Sequence, residues 1–323
     1  MANRMKALVV ALLALLPLGA HAADAPKLLI ATGVDPGFAQ FYVALQAGLF
    51  KKEGLDVELK TGPAGGAMVP LVIGNQANAA MSAVFAGLVN HLVDPNLVAV
   101  AQTNTYDHWY GIVTRSDITS IQALKGRKLG ITRGTASEAL WLAALKKAQL
   151  EPPYAEAVYI DPPEMLAAME RHDIDGFSNW EPWITRTLLA VPNTHLLMDN
   201  YGVLPDEAMI YMNRTWIEQN HAAAVKFLRA IVEATAYVKT KPAQAKKLME
   251  GFLHLPPQQM DAMLPKLTFT AKLDDETYEI TKIQVDLLRQ RGRLKGDFDY
   301  ARWFYPDLLK EVDPSRVKLP AQM

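Results

Sequence analysis

Short apolar segments alternate along the chain with segments in which apolar residues recur every three or four positions. The first kind predicts buried strands and the second predicts helices with one apolar face. The expected strands lie at 27–32, 56–60, 79–82, 97–102, 111–114, 129–131, 157–160, 175–178, 196–199 and 207–212. From Thr215 onward the pattern predicts almost only helix. This alternation predicts an α/β fold whose sheets are mostly parallel and flanked by helices.

The strands fall into two sets, which predicts two lobes with a cleft between them. Residues 23–110 and 206–323 are expected to form lobe I, and residues 111–205 to form lobe II. In open α/β sheets, ligands bind outside the carboxyl ends of the strands. The turns at those ends are 33–38, 62–66, 82–85, 103–108, 133–137 and 179–182.

The turn at 133–137 leads from a short strand directly into a helix. Thr135 and Glu138 have the spacing of a capping box, which predicts a helix start near Ala136. Such a start directs unpaired N–H groups and the positive end of the helix dipole at whatever lies above it. An anionic group is the expected occupant, with the Thr135 and Ser137 hydroxyls as further donors. The alternative is that Thr135 and Glu138 satisfy these N–H groups and that nothing binds.

The first residues have the pattern of an export signal. Arg4 and Lys6 precede an apolar run at 7–16, and Ala20 to Ala22 fits a cleavage site, with cleavage expected after Ala22. The chain contains no cysteine, so we expect no lipid anchor, disulfide, thiolate metal site or cysteine nucleophile. These features predict a periplasmic protein of a Gram-negative cell.

Charge and histidine spacing narrow the classes of partner. Without Arg4 and Lys6 the chain has 31 basic and 34 acidic side chains, a net charge of −3. This balance gives no support for binding nucleic acid or a membrane surface. His108, His172 and His195 lack the spacing of metal ligands. We therefore expect neither a metal nor a cofactor.

Four segments resemble a known family. They are AGLFKKEGLDVE at 47–58, LKGRKLG at 124–130, Gly134–Thr135 before a helix, and WEPW at 180–183. The chain resembles the periplasmic solute-binding proteins of nitrate, sulfonate and taurine ABC importers, which share a fold with proteins that bind pyrimidine precursors of thiamine. The resemblance implies a two-lobe, type II periplasmic-binding-protein fold. It also implies a monomer that closes over one small solute and delivers it to an inner-membrane permease.

The resemblance also implies which residues bind the solute. In the first lobe the family's binding turns fall on Gly37, Phe38, Gln40, Gly65, Gly66, Ser82 and Phe85. In the second lobe they fall on Gly134, Thr135, Ala136, Ser137, Asn179, Trp180 and Glu181.

Some of these positions allow two interpretations. Arg133 is not fixed in the family; it either pairs with a carboxylate or sulfonate of the ligand or is a solvated turn residue. Glu181 either accepts a hydrogen bond from a ligand amine or amide, or caps the helix that begins after Pro182. Aromatic residues such as Phe38 and Trp180 predict a pocket for a ligand with an organic body.

The leading hypothesis is a non-enzymatic receptor for a small organic anion, such as a sulfonate, a taurine-like solute or an aromatic carboxylate. The alternatives are a binding protein for a pyrimidine precursor of thiamine, an enzyme on the same fold, or a structural protein without a ligand. Enzymatic relatives of this fold use cysteine, which the chain lacks. No Gly-x-Ser-x-Gly or Ser-x-x-Lys motif lies between a strand and a helix.

Overall fold

The computed structural model describes residues 26–323. The signal segment predicted at 1–22 lies outside the described residues. In chain order the strands are β1 (Lys27–Thr32), β2 (Asp56–Thr61), β3 (Ala79–Ala83), β4 (Leu97–Tyr106), β5 (Tyr110–Arg115), β6 (Lys128–Ile131), β7 (Glu156–Tyr159), β8 (Gly176–Trp180), β9 (Thr194–Asp199), β10 (Glu207–Asn213), β11 (Leu267–Asp274) and β12 (Val317–Lys318).

Helices connect and flank these strands. They are α1 (Ala39–Gln46), α2 (Leu49–Lys52), α3 (Gly65–Met68), α4 (Pro70–Ile73), α5 (Val84–His91), α6 (Ala136–Lys147), α7 (Pro162–Glu170), α8 (Trp183–Ala190), α9 (Arg214–Gln219), α10 (His221–Thr240), α11 (Pro242–Leu253), α12 (Pro257–Met263), α13 (Asp275–Gln290), α14 (Tyr300–Trp303) and α15 (Asp307–Val312). Among residues 26–323, none of these helices combines the length and apolar character needed to cross a membrane.

The strands of the described chain form two sheets, which confirms the α/β prediction. One sheet has the order β12-β11-β4-β10-β3-β1-β2 and the other has the order β7-β6-β8-β5-β9. We call the first sheet with its helices the first lobe, and the second sheet with α6 to α8 the second lobe. Polypeptide crosses between the lobes twice, from β4 to β5 and from β9 to β10.

The sheets are mixed and not mostly parallel, which corrects the sequence prediction. β5 and β10 are the first strands after the two crossings, and each lies antiparallel to both of its neighbours. β1, β2 and β3 pair in parallel, as do β6, β7 and β8. β11 also lies antiparallel to β4, so each sheet combines parallel β-α-β units with antiparallel neighbours.

The prediction of almost continuous helix after Thr215 is wrong at β11. Its residues alternate between buried and less buried positions, and the apolar side chains of Leu267, Phe269, Ala271 and Leu273 face inward. This period of two is typical of a strand with one buried face. β11 pairs with β4 on one side and with β12 on the other. The C-terminal part of the chain therefore completes the first sheet.

One buried side chain joins the two crossings. Asn200 Oδ1 accepts hydrogen bonds from the N–H groups of Trp109 and Tyr110, both at 3.0 Å. Its Nδ2 donates to the carbonyl oxygens of Tyr106 at 2.8 Å and Leu204 at 3.2 Å. The two segments that connect the lobes are thus held together as one hydrogen-bonded unit.

Candidate ligand-binding site

A small cavity lies between the two lobes, where several strands end. The lining residues are Asp35, Phe38, Gly65, Gly66, Ser82, Ala83, Tyr106, Trp109, Tyr110, Thr135, Ala136 and Trp180. Both lobes contribute to this lining, so a molecule in the cavity would touch both.

The structure brings part of the sequence-predicted site together. The predicted residues in the lining are Phe38, Gly65, Gly66, Ser82, Thr135, Ala136 and Trp180. The predicted residues outside it are Gly37, Gln40, Phe85, Arg133, Gly134, Ser137, Asn179 and Glu181. Ligand contact by any of these residues stays a prediction, but the contacts below explain their positions.

The start of α6 places backbone donors at the cavity. Thr135 is the N-cap in an extended conformation, with φ −124° and ψ −180°, and its Oγ1 accepts from Ser137 N–H at 3.2 Å. Glu138 Oε2 accepts from Gly134 N–H at 2.7 Å, one residue earlier than the predicted capping box requires. Within residues 26–323, the N–H groups of Thr135 and Ala136 have no hydrogen-bond acceptor. Both interpretations of the turn are therefore partly met, because some donors are capped whereas those of Thr135 and Ala136, which line the cavity, are not.

The Ser137 hydroxyl is occupied by the protein itself. It donates to the carbonyl oxygen of Ser178 at 2.6 Å and accepts from Thr132 N–H at 3.0 Å. Ser178 Oγ donates in return to the carbonyl oxygen of Ser137 at 2.8 Å. Ser137 therefore ties the turn before α6 to β8 and faces away from the cavity.

Arg133 lies in a neighbouring groove. Its guanidinium carbon is 3.9 Å from the ring centroid of Tyr159, which indicates cation–π stacking. The groove shares Gly66 and Thr135 with the cavity but opens beside Asp161. Across the described chain, no lysine, arginine or histidine lines the cavity. In this arrangement of the lobes the Arg133 guanidinium lies on Tyr159, and its pairing with a ligand anion stays a prediction.

Glu181 follows the helix-capping alternative. Its carboxylate accepts from Thr185 N–H at 3.1 Å and from Thr185 Oγ1 at 2.9 Å. Oε1 also accepts from Lys266 Nζ at 2.6 Å. The neighbouring Asn179 is buried, and its Oδ1 accepts from Trp180 N–H at 2.9 Å. These contacts turn both polar side chains away from the cavity and leave Trp180 as the residue of β8 that lines it.

Three predicted residues of the first lobe face its interior. Gln40 Nε2 donates to the carbonyl oxygens of Thr103 at 2.5 Å and Thr270 at 3.4 Å, so the side chain bridges β4 and β11. Phe85 is fully buried at the start of α5. Gly37 packs closely, since a Cβ there would lie 2.8 Å from the Asp35 carboxylate.

Sequence reasoning did not select five lining residues: Asp35, Ala83, Tyr106, Trp109 and Tyr110. The three aromatic residues form one cluster, with ring centroids of Tyr106 5.7 Å from Trp109 and 5.2 Å from Tyr110. The unusual aromatic content of 105–110 was a usable signal for them. Asp35 lies in the turn after β1, so its position at a strand end was the signal that could have selected it.

Asp35 is the one carboxylate in the described lining. Oδ1 accepts from Gly37 N–H at 2.8 Å and caps the short 3-10 helix Pro36–Phe38. Burial raises the pKa of the Asp35 carboxyl to about 7, although this hydrogen bond opposes the rise. Burial also raises the pKa values of Tyr106 and Tyr110 well above 10. The cavity wall thus combines aromatic rings, a carboxyl group and backbone donors.

The lobes meet closely beside the cavity. A Cβ on Gly66 would lie 2.9 Å from Thr135 Cγ2 of the opposite lobe, so the glycine permits this approach. Glu138, whose side chain is 3% exposed, pairs across the cleft with Arg291 at 3.2 Å and Arg293 at 3.5 Å. The Glu181–Lys266 pair also joins the two lobes.

The overall geometry matches a class of solved structures. The crystal structure of the periplasmic aliphatic sulphonate binding protein SsuA from Escherichia coli superposes with a TM-score of 0.73 at 20% identity, covering 88% of this chain and 98% of that chain. At this identity the likeness shows the fold. The two lobes and the cavity between them are those of a periplasmic-binding-protein fold.

The sequence pattern of the family described as NMT1/THI5 like matches residues 35–245, which is more than half of the chain. The chain belongs to this family. This confirms the resemblance drawn from the four sequence segments.

Two curated relatives illustrate its range. A protein of Brucella abortus (strain 2308), named as a binding protein, is 24% identical over 214 residues, which cover 65% of this chain and 66% of that protein. The match thus spans just under two thirds of the Brucella protein. A protein of Haemophilus influenzae (strain Rd), named for thiamine biosynthesis, is 26% identical over 255 residues, covering 73% of this chain and 75% of that protein.

Proposed function

We propose that this protein is the periplasmic solute-binding component of an ABC importer. It captures a small organic anion, such as a sulfonate, a taurine-like solute or an aromatic carboxylate, in the cavity between the lobes. It then delivers the solute to an inner-membrane permease without chemical change. The family membership and the relatives named as binding proteins support this role.

The observation that carries the proposal is the pair of unpaired N–H groups at Thr135 and Ala136, two residues that line a cavity formed by both lobes. The start of a helix favours negative charge through its dipole and its free donors. α6 has 12 residues, which is long enough for this effect. The Ser82 hydroxyl on the facing lobe is a further donor at the cavity.

A second candidate is a binding protein for a pyrimidine precursor of thiamine. Aromatic side chains from both sides of the cavity favour it, because they offer flat surfaces to a pyrimidine ring. They are Phe38 of the first lobe, Trp109 of the first crossing and Trp180 of the second lobe. The Haemophilus relative named for thiamine biosynthesis also supports it.

Capture requires that the lobes separate and close. We propose that they move as rigid bodies about the two crossings at 107–109 and 200–206, with lobe I comprising 23–110 and 206–323. The ion pairs of Glu138 with Arg291 and of Glu181 with Lys266 join the lobes in the present arrangement, and both would break when the lobes part.

The test is ligand-dependent thermal unfolding of purified protein stripped of bound solute. The panel contains nitrate, bicarbonate, taurine, alkanesulfonates, aromatic carboxylates and aminopyrimidines. A solute at a hundred times its Kd adds about 2.7 kcal/mol of stability, which raises the Tm by several degrees. No shift with any member would count against the receptor function.

A backbone substitution tests the donor at α6. Ala136→Pro removes one N–H, and the site accepts proline because Ala136 is the first helical residue and Thr135 before it is extended. We expect the fold to persist and the thermal shift to be lost. Ala136→Val is the matched control, because it adds similar bulk and keeps the N–H. Equal loss in both variants would indicate a steric effect and contradict the assigned donor.

A further inference from the structure

The Asp35 carboxylate has an unused acceptor at the cavity. Its Oδ1 is occupied by Gly37 N–H, whereas Oδ2 accepts no hydrogen bond from any group within residues 26–323. Asp35 is 8% exposed and lines the cavity. Because Asp35 lines the cavity, a molecule that displaces water from this oxygen must supply a donor in its place, or the carboxylate loses its hydration without compensation.

The protein offers this carboxylate no positive charge. Asp35 takes part in no ion pair of the described chain, and Arg133 is directed onto Tyr159 outside the cavity. The side chains that face Asp35 are tyrosines: Tyr42, whose hydroxyl donates to the carbonyl oxygen of Gly33 at 2.7 Å, and Tyr106. A simple anion bound at Thr135 and Ala136 would therefore share a small cavity with an uncompensated acid.

The remaining walls suit a positively polarised group. Tyr106, Trp109 and Tyr110 form one aromatic cluster beside Asp35. The faces of aromatic rings attract ammonium and related cations, most strongly where water is excluded. The carboxylate and the rings thus recognise the same chemistry.

We infer that the solute of this protein carries an amino or amidine-type donor that pairs with Asp35, in addition to the acceptor group held at the start of α6. This inference rests on the proposed function, because it requires that the cavity is the binding site. It makes Asp35 the residue that selects among the candidate solutes. Aminosulfonates and aminopyrimidines satisfy both ends of the cavity, whereas nitrate, bicarbonate and unsubstituted alkanesulfonates leave Asp35 unpaired.

Matched pairs of solutes test the inference by isothermal titration calorimetry. Taurine is compared with ethanesulfonate, and 4-amino-2-methylpyrimidine with 2,4-dimethylpyrimidine, so that within each pair the amino group is the main difference. We expect the wild-type protein to bind the amino member of one pair at least ten-fold more tightly. The pair that shows this preference identifies whether the solute is a sulfonate or a pyrimidine.

Asp35→Asn assigns the preference to this side chain. Asparagine has the same shape and also serves as an N-cap, so the turn before α1 is retained. The amino preference should fall below about three-fold in this variant, because a neutral amide is a weaker partner for a cation than a carboxylate is. Asp56→Asn, at the exposed start of β2, removes one negative charge far from the cavity and should leave the preference unchanged.

The outcomes separate the inference from the function it rests on. If the wild type binds solutes of the panel but shows no amino preference in either pair, the inference is overturned and the receptor function stands. An amino preference that survives Asp35→Asn overturns the role of Asp35. If stripped protein binds no member of either pair and nothing else in the wider panel, both the inference and the proposed function fail.

Discussion

The ion pair between Lys266 and Glu181 gives a prediction about how closure and affinity are linked. Lys266 Nζ in the first lobe lies 2.6 Å from Glu181 Oε1 in the second lobe. The side chain of Glu181 is 2% exposed and that of Lys266 is 30% exposed. Replacing Lys266 with Met removes the cation and leaves a buried carboxylate that keeps its two contacts with Thr185.

The structure sets the expected size of this change. Breaking a fully buried ion pair by removing one partner typically costs about 3–5 kcal/mol. We expect less here, about 1–3 kcal/mol, because Lys266 is partly exposed and Thr185 still stabilises the carboxylate. When the lobes part, Glu181 gains access to water, so the cost falls on the arrangement in which they touch. Ligand affinity should then drop about five- to 140-fold, since 1.4 kcal/mol corresponds to a factor of ten.

The assay is the Kd of Lys266→Met for the solute that stabilises the wild type. Lys52→Met is the control, because Lys52 pairs with Glu233 at 2.8 Å inside the first lobe and should leave Kd unchanged. Adding Glu181→Gln to Lys266→Met removes the uncompensated charge and should recover most of the affinity. Wild-type affinity in Lys266→Met, or an equal loss in Lys52→Met, would refute the reasoning.

Two further predictions concern buried polar groups. Because its pKa of about 7 exceeds the ordinary 3.8, the Asp35 contribution to stability is present at low pH and is lost as pH rises towards 7. Urea titrations should show that the unfolding free energy of the wild type rises by about 3 kcal/mol relative to that of Asp35→Asn between pH 7.5 and pH 4.5. The facing Tyr42 and Tyr106 stay protonated over this range and do not contribute. A difference that is constant with pH would contradict this prediction. Ser137→Ala should cost about 1–3 kcal/mol of unfolding free energy, because it leaves buried backbone groups of β8 and the turn unpaired; an unaltered urea midpoint would argue against this role.

Periodicity predicted the α/β class and the α6 start because these depend on local signals. The helix beginning at Ala136 follows from a threonine cap and an apolar face, both of which lie within one segment. β11 carried an equally local signal in the alternation of 267–274, but the helical segments on both sides obscured it. The direction of β5 and β10 had no local signal, because it depends on which strands become their neighbours in the sheet, and those strands are distant in sequence.

The site was predictable to the extent that strand ends determine it. Phe38, Thr135 and Trp180 lie next to strand ends, and the structure places them in the cavity wall. Glu181 and Gln40 also lie near such ends, but their partners Lys266 and Thr270 are 85 and 230 residues away in sequence. A polar residue near a cleft binds either a ligand or a distant part of the protein, and local sequence does not distinguish the two.

The hydrogen bonds of Asn200 also bear on how such proteins can be rebuilt. The five strands of the second sheet come from one uninterrupted stretch of chain, and its two ends meet at this asparagine. That stretch can be replaced as a single cassette by its counterpart from a relative, with both junctions at the same place. Because the lining of the cavity is divided between the lobes, each such chimera would combine half of one specificity with half of another.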